Sequence, residues 1–107
     1  MKAYKAAKES PDGAPGIAAA LRQATTVPLG VAEMAVEVGE IAERLKPITN
    51  PNMSSDLTTA IALSKAAFTG AQANVEINLG SLKSDSREDE VFVAETRARV
   101  ALLTERA

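Results

Sequence analysis

Apolar residues recur every seven positions between residues 15 and 46, and this repeat constrains the fold more than any other feature. Two parallel rows lie on adjacent lines of a helix surface, and three further apolar residues widen them. The rows are Ile17, Ala24, Val31, Val38 and Leu45, then Ala20, Val27, Met34 and Ile41, widened by Leu21, Ala35 and Ala42. A stripe this wide is typical of a helix that faces a core. The pattern predicts a helix over about 17–46, ended by Pro47, with the stripe buried.

Pro28 lies inside this predicted helix and interrupts its regularity. Its ring nitrogen has no hydrogen to donate to the Ala24 carbonyl, and the β-branched residues before it weaken the helix further. We therefore expect a kink or a break near residues 25–28. Two interpretations remain open. Either the helix bends to follow its neighbour, or the freed carbonyl and the hydroxyls of Thr25 and Thr26 line a ligand pocket.

A second long helix is predicted over about 54–79, because its core-facing row again has helical spacing. The row is Leu57, Ile61, Ser64, Phe68, Ala71, Val75 and Asn78. Small residues beside it allow another helix to approach closely. A third helix over about 86–105 begins with Ser86-x-x-Asp89, which resembles a capping box. A short helix is also expected over 2–9, before a loop rich in proline and glycine.

The composition excludes several classes of site. The chain has no cysteine and no histidine, which rules out disulfides, thiolate or histidine metal sites and histidine-based nucleophile systems. Acid–base chemistry must then rest on carboxylates, lysines, Tyr4 or bound water. A net charge of −2 gives no electrostatic footprint for nucleic acid or an anionic membrane surface. The basic N-terminus lacks the apolar run of a signal peptide, and we expect a cytoplasmic protein without a metal or cofactor.

These elements predict a single all-α domain over residues 1–107. We expect an antiparallel arrangement of two long helices, the first kinked at Pro28, plus a C-terminal helix. Each long helix would span roughly 40 Å, at about 1.5 Å per residue. A flat layer of this kind cannot shield both of its faces. We therefore expect completion by oligomerisation, with a second copy of the chain as the partner.

The turn between the two long helices is a polar elbow, which we define as Asn50–Asp56. A helix N-terminus there would present free backbone N–H donors, and Asp56 would complement the helix dipole. The same residues also suit a tight turn and helix cap with a purely structural role. Asn74 and Asn78 share a helix face, where they form either a ligand contact or an interhelical hydrogen-bond pair. We expect any ligand to lie at the elbow, with Thr25–Pro28 as the opposite wall.

Three segments carry a resemblance to a known family. They are Gln23-Ala24-Thr25-Thr26-Val27-Pro28-Leu29, Asn50-Pro51-Asn52 with Ser55-Asp56, and Gly70-Ala71-x-x-Asn74-Val75-x-Ile77-Asn78-Leu79. In this order and spacing they resemble the cyclodeaminase domain of formiminotransferase-cyclodeaminase and the serine-cycle type of methenyltetrahydrofolate cyclohydrolase, which are all-helical dimers. The resemblance runs from about Ala3 to Leu103. It matches roughly the C-terminal half of that domain, so we expect the N-terminal half of the family domain to be missing.

The resemblance implies a folate-dependent protein of one-carbon metabolism, with a tetrahydrofolate derivative as substrate and no further cofactor. It implies Asp56 as the catalytic group, because this is the only carboxylate among the shared residues and the chemistry needs a proton acceptor. The residues implied to bind the ligand are Asn50, Asn52, Ser55, Thr25, Thr26, Asn74 and Asn78. We expect weak or absent turnover from half of a domain. The alternative function is a non-catalytic helical module for assembly or dimerisation.

Overall fold

The computed structural model describes residues 14–82 and 86–107, and every regular element in these two ranges is helical. The long helices are α1 (Ala14–Leu45), α2 (Ser54–Ser81) and α3 (Arg87–Arg106). Two short 3-10 turns, Lys46–Ile48 and Pro51–Met53, connect α1 to α2. The prediction of an all-α fold with two long helices and a C-terminal helix is confirmed. The helix predicted over 2–9 lies outside the described residues. Within the described ranges, no helix is both long and apolar enough to cross a lipid bilayer.

Proline and polar side chains set the helix boundaries. Pro47 has no backbone N–H with which to continue α1. Beyond it, the Thr49 hydroxyl donates a hydrogen bond to the Leu45 carbonyl at the end of the helix. At the start of α3 the Ser86 hydroxyl accepts the Asp89 N–H at 3.1 Å, which is the helix cap that the sequence predicts.

Helix α1 continues through Pro28 without a break. A proline inside a helix costs about 3 kcal/mol or more, because one backbone hydrogen bond is lost and the ring meets the preceding turn. The helix has 32 residues, so packing along its remaining length outweighs this local cost. Of the two outcomes expected at residues 25–28, the break therefore does not occur.

Helices α1 and α2 run antiparallel and enclose a core built mainly from small aliphatic side chains. They approach closely at Gly39, where an added Cβ would lie 2.9 Å from the Ser64 Oγ. The buried cluster surrounds a single aromatic ring, that of Phe68. It consists of Leu21, Leu29, Ala32, Ala35, Val36, Phe68, Ala71, Val75, Leu79, Leu82, Val100 and Leu103. Close approach at glycine and alanine is what allows such small side chains to fill the space between the helices.

Helix α3 covers one side of the α1–α2 pair, and ion pairs hold it to both helices. The pairs are Arg22–Glu88, Arg22–Asp89, Glu33–Arg99 and Glu40–Arg106 with α1, and Glu76–Arg97 with α2. Residue numbers rise together along α1 and α3, so these two helices are parallel. Between α2 and α3, the residue numbers of contacting pairs change in opposite directions, because Gln72 contacts Thr104 and Glu76 contacts Arg97. The third helix is thus antiparallel to α2.

The large apolar residues of the predicted α1 stripe lie outside the core. We define the α1 ridge as Val27, Val31, Met34, Val38, Ile41 and Leu45. Their exposed fractions range from 40% at Leu45 to 69% at Val27. The prediction that these rows face the core is therefore wrong, although the flanking Leu21, Ala35 and Ala42 are buried as expected. The inner face of α1 carries smaller residues such as Ala32, which allow α2 and α3 to approach together.

The core-facing row of α2 is the one that the sequence predicts. Its buried members are Ile61, Ser64, Phe68, Ala71 and Val75, and the two end members, Leu57 and Asn78, are half-buried. The buried Ser64 satisfies its hydroxyl by donating to the Ile61 carbonyl at 2.7 Å, so the polar group costs little inside the core. The principal extents of the Cα trace, 60 × 25 × 14 Å, describe a thin layer that leaves the α1 ridge uncovered.

Candidate functional site

The elbow Asn50–Asp56 is held by its own backbone and by one side-chain hydrogen bond. The Asn50 side-chain oxygen accepts the Asn52 N–H at 3.0 Å, and the Asn50 carbonyl accepts the Met53 N–H at 2.8 Å. This is the structural interpretation that the sequence left open: Asn50 caps the Pro51–Met53 turn. Asn50, Asn52, Ser55 and Asp56 are all exposed, so capping does not remove the elbow from solvent.

The first turn of α2 offers hydrogen-bond donors and a carboxylate at the same place. The residue that precedes the helix, Met53, provides no side-chain cap for the first backbone N–H groups. Asp56 lies in that first turn. The nearby Thr58 and Thr59 hydroxyls donate back to the carbonyls of Ser54 and Ser55, at 2.9 Å each. The Ser54 N–H donates to the Pro51 carbonyl, and the Asp56 carboxylate is exposed beside the positive end of the helix dipole, which suits a ligand with an anionic or carbonyl group.

The two threonines before Pro28 are not part of an open pocket wall. Thr25 is fully buried, and its hydroxyl donates to the Leu21 carbonyl at 2.7 Å. Thr26 is exposed, but its hydroxyl donates to the Gln23 carbonyl at 2.6 Å. The hypothesis that Thr25 contacts a ligand is contradicted by this burial, because helical spacing turns that residue toward the core. The hydroxyl of Thr26 remains reachable only at the helix surface.

Asn74 and Asn78 lie together in a shallow groove on the side of the layer away from α3. We call it the Pro28 groove; it is lined by Ala24, Val27, Pro28, Val31, Ala67, Gly70, Ala71, Asn74 and Asn78. Its volume is about 630 Å³. Within residues 14–82 and 86–107, neither asparagine hydrogen-bonds to α1, so the interhelical pair considered from the sequence is not formed. The structure does bring these two asparagines together with Pro28.

The elbow and the Pro28 groove lie far apart within one chain. Pro28 is 17 residue steps from the end of α1 at Leu45, which corresponds to about 25 Å along the helix. Asp56 and Asn74 are 18 steps apart on α2, or about 27 Å. The prediction that Thr25–Pro28 forms the wall opposite the elbow is therefore wrong for a single chain, because antiparallel helices separate these two segments.

A second crevice, which the sequence did not indicate, opens where the end of α3 meets α1 and α2. Its floor is formed by Gly39, Ser64 and Phe68, and its volume is about 430 Å³. Across its rim, the Arg106 guanidinium donates to both Glu40 carboxylate oxygens, at 3.1 and 2.7 Å. The partners are 66 positions apart in sequence, so no local pattern could reveal them. In the described part of the chain, no three acidic groups are gathered as a metal-ion site.

The Glu40–Arg106 ion pair should make the stability of the fold depend on pH. The hydrogen bond from Arg106 holds the pKa of the Glu40 carboxyl below its ordinary value and raises the pKa of Arg106. A carboxyl with a lowered pKa in the folded state stabilises the fold above its unfolded pKa, and this contribution disappears as the pH falls through the folded pKa. We expect Glu40→Gln to lower the melting temperature slightly at neutral pH, because the pair is exposed.

The difference in melting temperature between Glu40→Gln and the original protein should vanish below the ordinary carboxyl range. Differential scanning fluorimetry across pH 3 to 7 measures it. Glu95→Gln, which changes an exposed carboxylate in the middle of α3 without an ion-pair partner in the described ranges, is the matched control and should show no such convergence. A difference that persists undiminished in acid would contradict the role of ionised Glu40.

A sequence profile of the formiminotransferase-cyclodeaminase family matches residues 1–101. The formimidoyltransferase-cyclodeaminase of Sus scrofa is 33% identical over 111 aligned positions, which cover 100% of this chain and 20% of that protein. The chain thus spans about one fifth of the length of this curated relative. No solved structure matches the chain. The extent of the profile match shows that the chain belongs to the formiminotransferase-cyclodeaminase family.

Proposed function

We propose that this protein acts in folate-dependent one-carbon metabolism and binds a tetrahydrofolate derivative at the start of α2. The observation that carries the proposal is the exposed Asp56 beside backbone N–H groups that lack a side-chain cap, in a chain of the cyclodeaminase family. A folate combines a flat polar ring with a carboxylate tail. Donors at a helix N-terminus suit the anionic part, and asparagine amides suit the ring edge.

The proposed reaction is closure of a formimino group onto the neighbouring folate nitrogen, with release of ammonia. The neighbouring folate nitrogen attacks the carbon of the protonated formimino group, and a new carbon–nitrogen bond forms. Asp56 accepts the proton from the attacking nitrogen and returns it to the amino nitrogen, whose bond to carbon then breaks as ammonia leaves. The positive charge of the protonated formimino group remains on the methenyl bridge, so charge and protons balance. Hydrolysis of a methenyl bridge uses the same carboxylate to take a proton from the attacking water.

Asp56→Asn tests this role directly. We expect turnover of formimino- or methenyltetrahydrofolate to fall by about 100-fold or more, because a positioned acid–base group contributes roughly 10²–10⁴ in rate. Binding of folinic acid, followed by isothermal titration calorimetry, should change by only a few-fold. The fold should remain intact, since loss of one charge in a helix first turn costs about 0.3–1 kcal/mol.

Glu90→Gln is the matched control for Asp56→Asn. Glu90 is also an exposed carboxylate in the first turn of a helix, in this case α3. The two substitutions remove the same charge in the same local setting, so a loss of turnover confined to Asp56→Asn would be specific. Equal turnover by the original protein and by Asp56→Asn would exclude Asp56 as the proton carrier.

A second candidate function is helical assembly without catalysis, and the exposed α1 ridge favours it. Large apolar side chains at regular helical spacing are rarely left in water on an isolated protein. If the original protein binds neither folinic acid nor tetrahydrofolate at millimolar concentration, this second function replaces the first. Both candidates include self-association, so the oligomeric state does not separate them, whereas folate binding does.

A further inference from the structure

We propose that the crevice at the end of α3 is a binding site for a small aromatic carboxylate. We call it the Arg106 crevice; it is the cavity of about 430 Å³ that has Gly39, Ser64 and Phe68 in its floor. Its volume falls within the range of roughly 300–1,000 Å³ that is typical of small-molecule sites in proteins. This site is separate from the start of α2, and it does not depend on folate binding at Asp56.

Buried apolar side chains form the inner surface of the Arg106 crevice. Ala35 and Val36 come from α1, and Ile61 and Phe68 come from α2. These four residues are between 3% and 9% exposed, so their positions are fixed by the core. A surface of this kind stabilises the apolar body of a ligand by removing it from water, and the Phe68 ring offers an aromatic partner to a second ring.

Two small residues close the floor of the crevice and leave the space above it unfilled. Gly39 has no side chain, and an added Cβ would lie 2.9 Å from the Ser64 Oγ. The two helices therefore touch at this point with very little side-chain volume. The Ser64 hydroxyl donates to the Ile61 carbonyl of its own helix, so it does not extend across the crevice toward α1.

The acidic groups at the rim of the crevice already have cationic partners. Glu40 accepts hydrogen bonds from the Arg106 guanidinium with both carboxylate oxygens, at 3.1 and 2.7 Å. The Glu43 carboxylate lies 3.9 Å from the Lys46 ammonium group. These contacts offset the negative charge at the rim, so the acidic groups do not by themselves favour a cationic ligand.

Two further cations at the rim lack such partners. Arg44 of α1 and Lys65 of α2 line the crevice, and within residues 14–82 and 86–107 neither lies within ion-pair distance of a carboxylate. Arg44 also complements the negative end of the α1 dipole, because it lies in the last turn of that helix. Lys65 lies in the interior of α2, where no helix end accounts for its charge. Both side chains suit a carboxylate, to which they donate charge-assisted hydrogen bonds.

The Arg106 crevice and the proposed folate site lie on opposite sides of the layer. Lys65 precedes Gln72 by seven residues, or about two helical turns, and Gln72 contacts Thr104 of α3. Lys65 is therefore on the α3 side of α2. Asp56 precedes Lys65 by nine residues, or about two and a half turns, so these two side chains are on opposite faces of the helix. A ligand in the crevice thus does not contact Asp56.

Titration with 3-phenylpropionate, followed by two-dimensional ¹H–¹⁵N NMR, tests the ligand class. The neutral 3-phenylpropionamide is the matched probe, since it has the same apolar body without the charge. We expect the carboxylate to bind about tenfold more tightly than the amide at low ionic strength, because only the anion forms charge-assisted hydrogen bonds with Arg44 and Lys65. Equal affinities, or no binding of the carboxylate up to about 5 mM, would overturn the proposal.

The same spectra locate the bound probe. We expect the largest shifts of amide resonances at Gly39, Ser64 and Lys65, which lie in the floor and at the rim. Shifts confined to Val31 and Asn74 would instead place the probe in the Pro28 groove, on the apolar surface away from α3. That result would exclude the Arg106 crevice as the site.

Lys65→Glu tests the rim without removing a buried side chain. We expect it to weaken binding of 3-phenylpropionate by about tenfold, because it replaces attraction by repulsion, and to leave the amide probe unaffected. Lys65→Gln should have a smaller effect, about threefold. Arg87→Glu is the matched control, since Arg87 is exposed in the first turn of α3 and has no ion-pair partner in the described ranges. Equal losses for Lys65→Glu and Arg87→Glu would indicate a general charge effect and contradict the site.

Folinic acid distinguishes the Arg106 crevice from the proposed folate site. Asp56→Asn should leave the affinity for 3-phenylpropionate unchanged, and Lys65→Glu should leave the affinity for folinic acid unchanged. If Lys65→Glu weakens binding of both molecules, the crevice is part of the folate site and the proposal of a separate site is wrong. If the original protein binds no folinic acid, the proposed function fails, whereas the titrations with 3-phenylpropionate still decide whether the crevice binds a carboxylate.

Discussion

Phe68→Ala is expected to lower the free energy of unfolding by about 3–5 kcal/mol. Phe68 is 5% exposed and is the only aromatic ring in the core cluster of the described residues. Its neighbours are mainly alanine, valine and leucine, and they cannot expand to fill the space that the ring leaves. The cost of a large cavity therefore adds to the lost burial of the ring. For a small domain this is a large part of the total stability.

Urea denaturation followed by circular dichroism measures the effect of Phe68→Ala. The unfolding curves should be recorded at several protein concentrations, because self-association would make stability depend on concentration. Leu102→Ala is the control, since Leu102 is 63% exposed and its truncation should change the free energy by no more than about 0.5 kcal/mol. A loss below about 1 kcal/mol for Phe68→Ala would contradict the packing described above.

Arg22→Ala is expected to destabilise the fold by roughly 2–4 kcal/mol, because it leaves the Asp89 carboxylate without its partner. The Asp89 side chain is 5% exposed, whereas that of Arg22 is 22% exposed. Breaking a buried ion pair costs more than the pair contributes, since the remaining charge stays in a poorly solvated place. The partial exposure of Arg22 keeps the expected value toward the low end. The main structural effect should be detachment of the start of α3.

A second substitution separates this explanation from a loss of packing. Arg22→Ala combined with Asp89→Asn should be more stable than Arg22→Ala alone, because the neutral amide no longer requires a cation. Arg97→Ala is the matched control, since the Arg97–Glu76 pair is more than half exposed on both sides. Its expected cost is about 0.2–1 kcal/mol. Equal losses for Arg22→Ala and Arg97→Ala would show that burial of Asp89 does not matter.

The two halves of the candidate site differ in how far they could be predicted. Asn50 as a turn cap and Asp56 in a helix first turn depend on residues within a few positions, so local chemistry reveals them. The gathering of Asn74 with Pro28 in one groove depends on the register between two antiparallel helices. Register is set by the close approach at Gly39, which no local pattern identifies. The Glu40–Arg106 contact could not be predicted from local sequence either, because it depends on the register between α1 and α3.

Within residues 14–82 and 86–107, the sequence by itself determined the three long helices, their approximate ends and the inner face of α2. Prolines that end helices and side chains that cap them act over a few residues. Helix α2 has a single apolar row, so only one of its faces could be predicted as buried. Only the tertiary structure decided which face of α1 is buried. That helix is apolar on more than one side, and its larger side chains at Val27 and Met34 mark the outer face. The inner face goes to small residues such as Ala32, because two helices must approach α1 together, and close approach depends on side-chain size rather than on hydrophobicity alone.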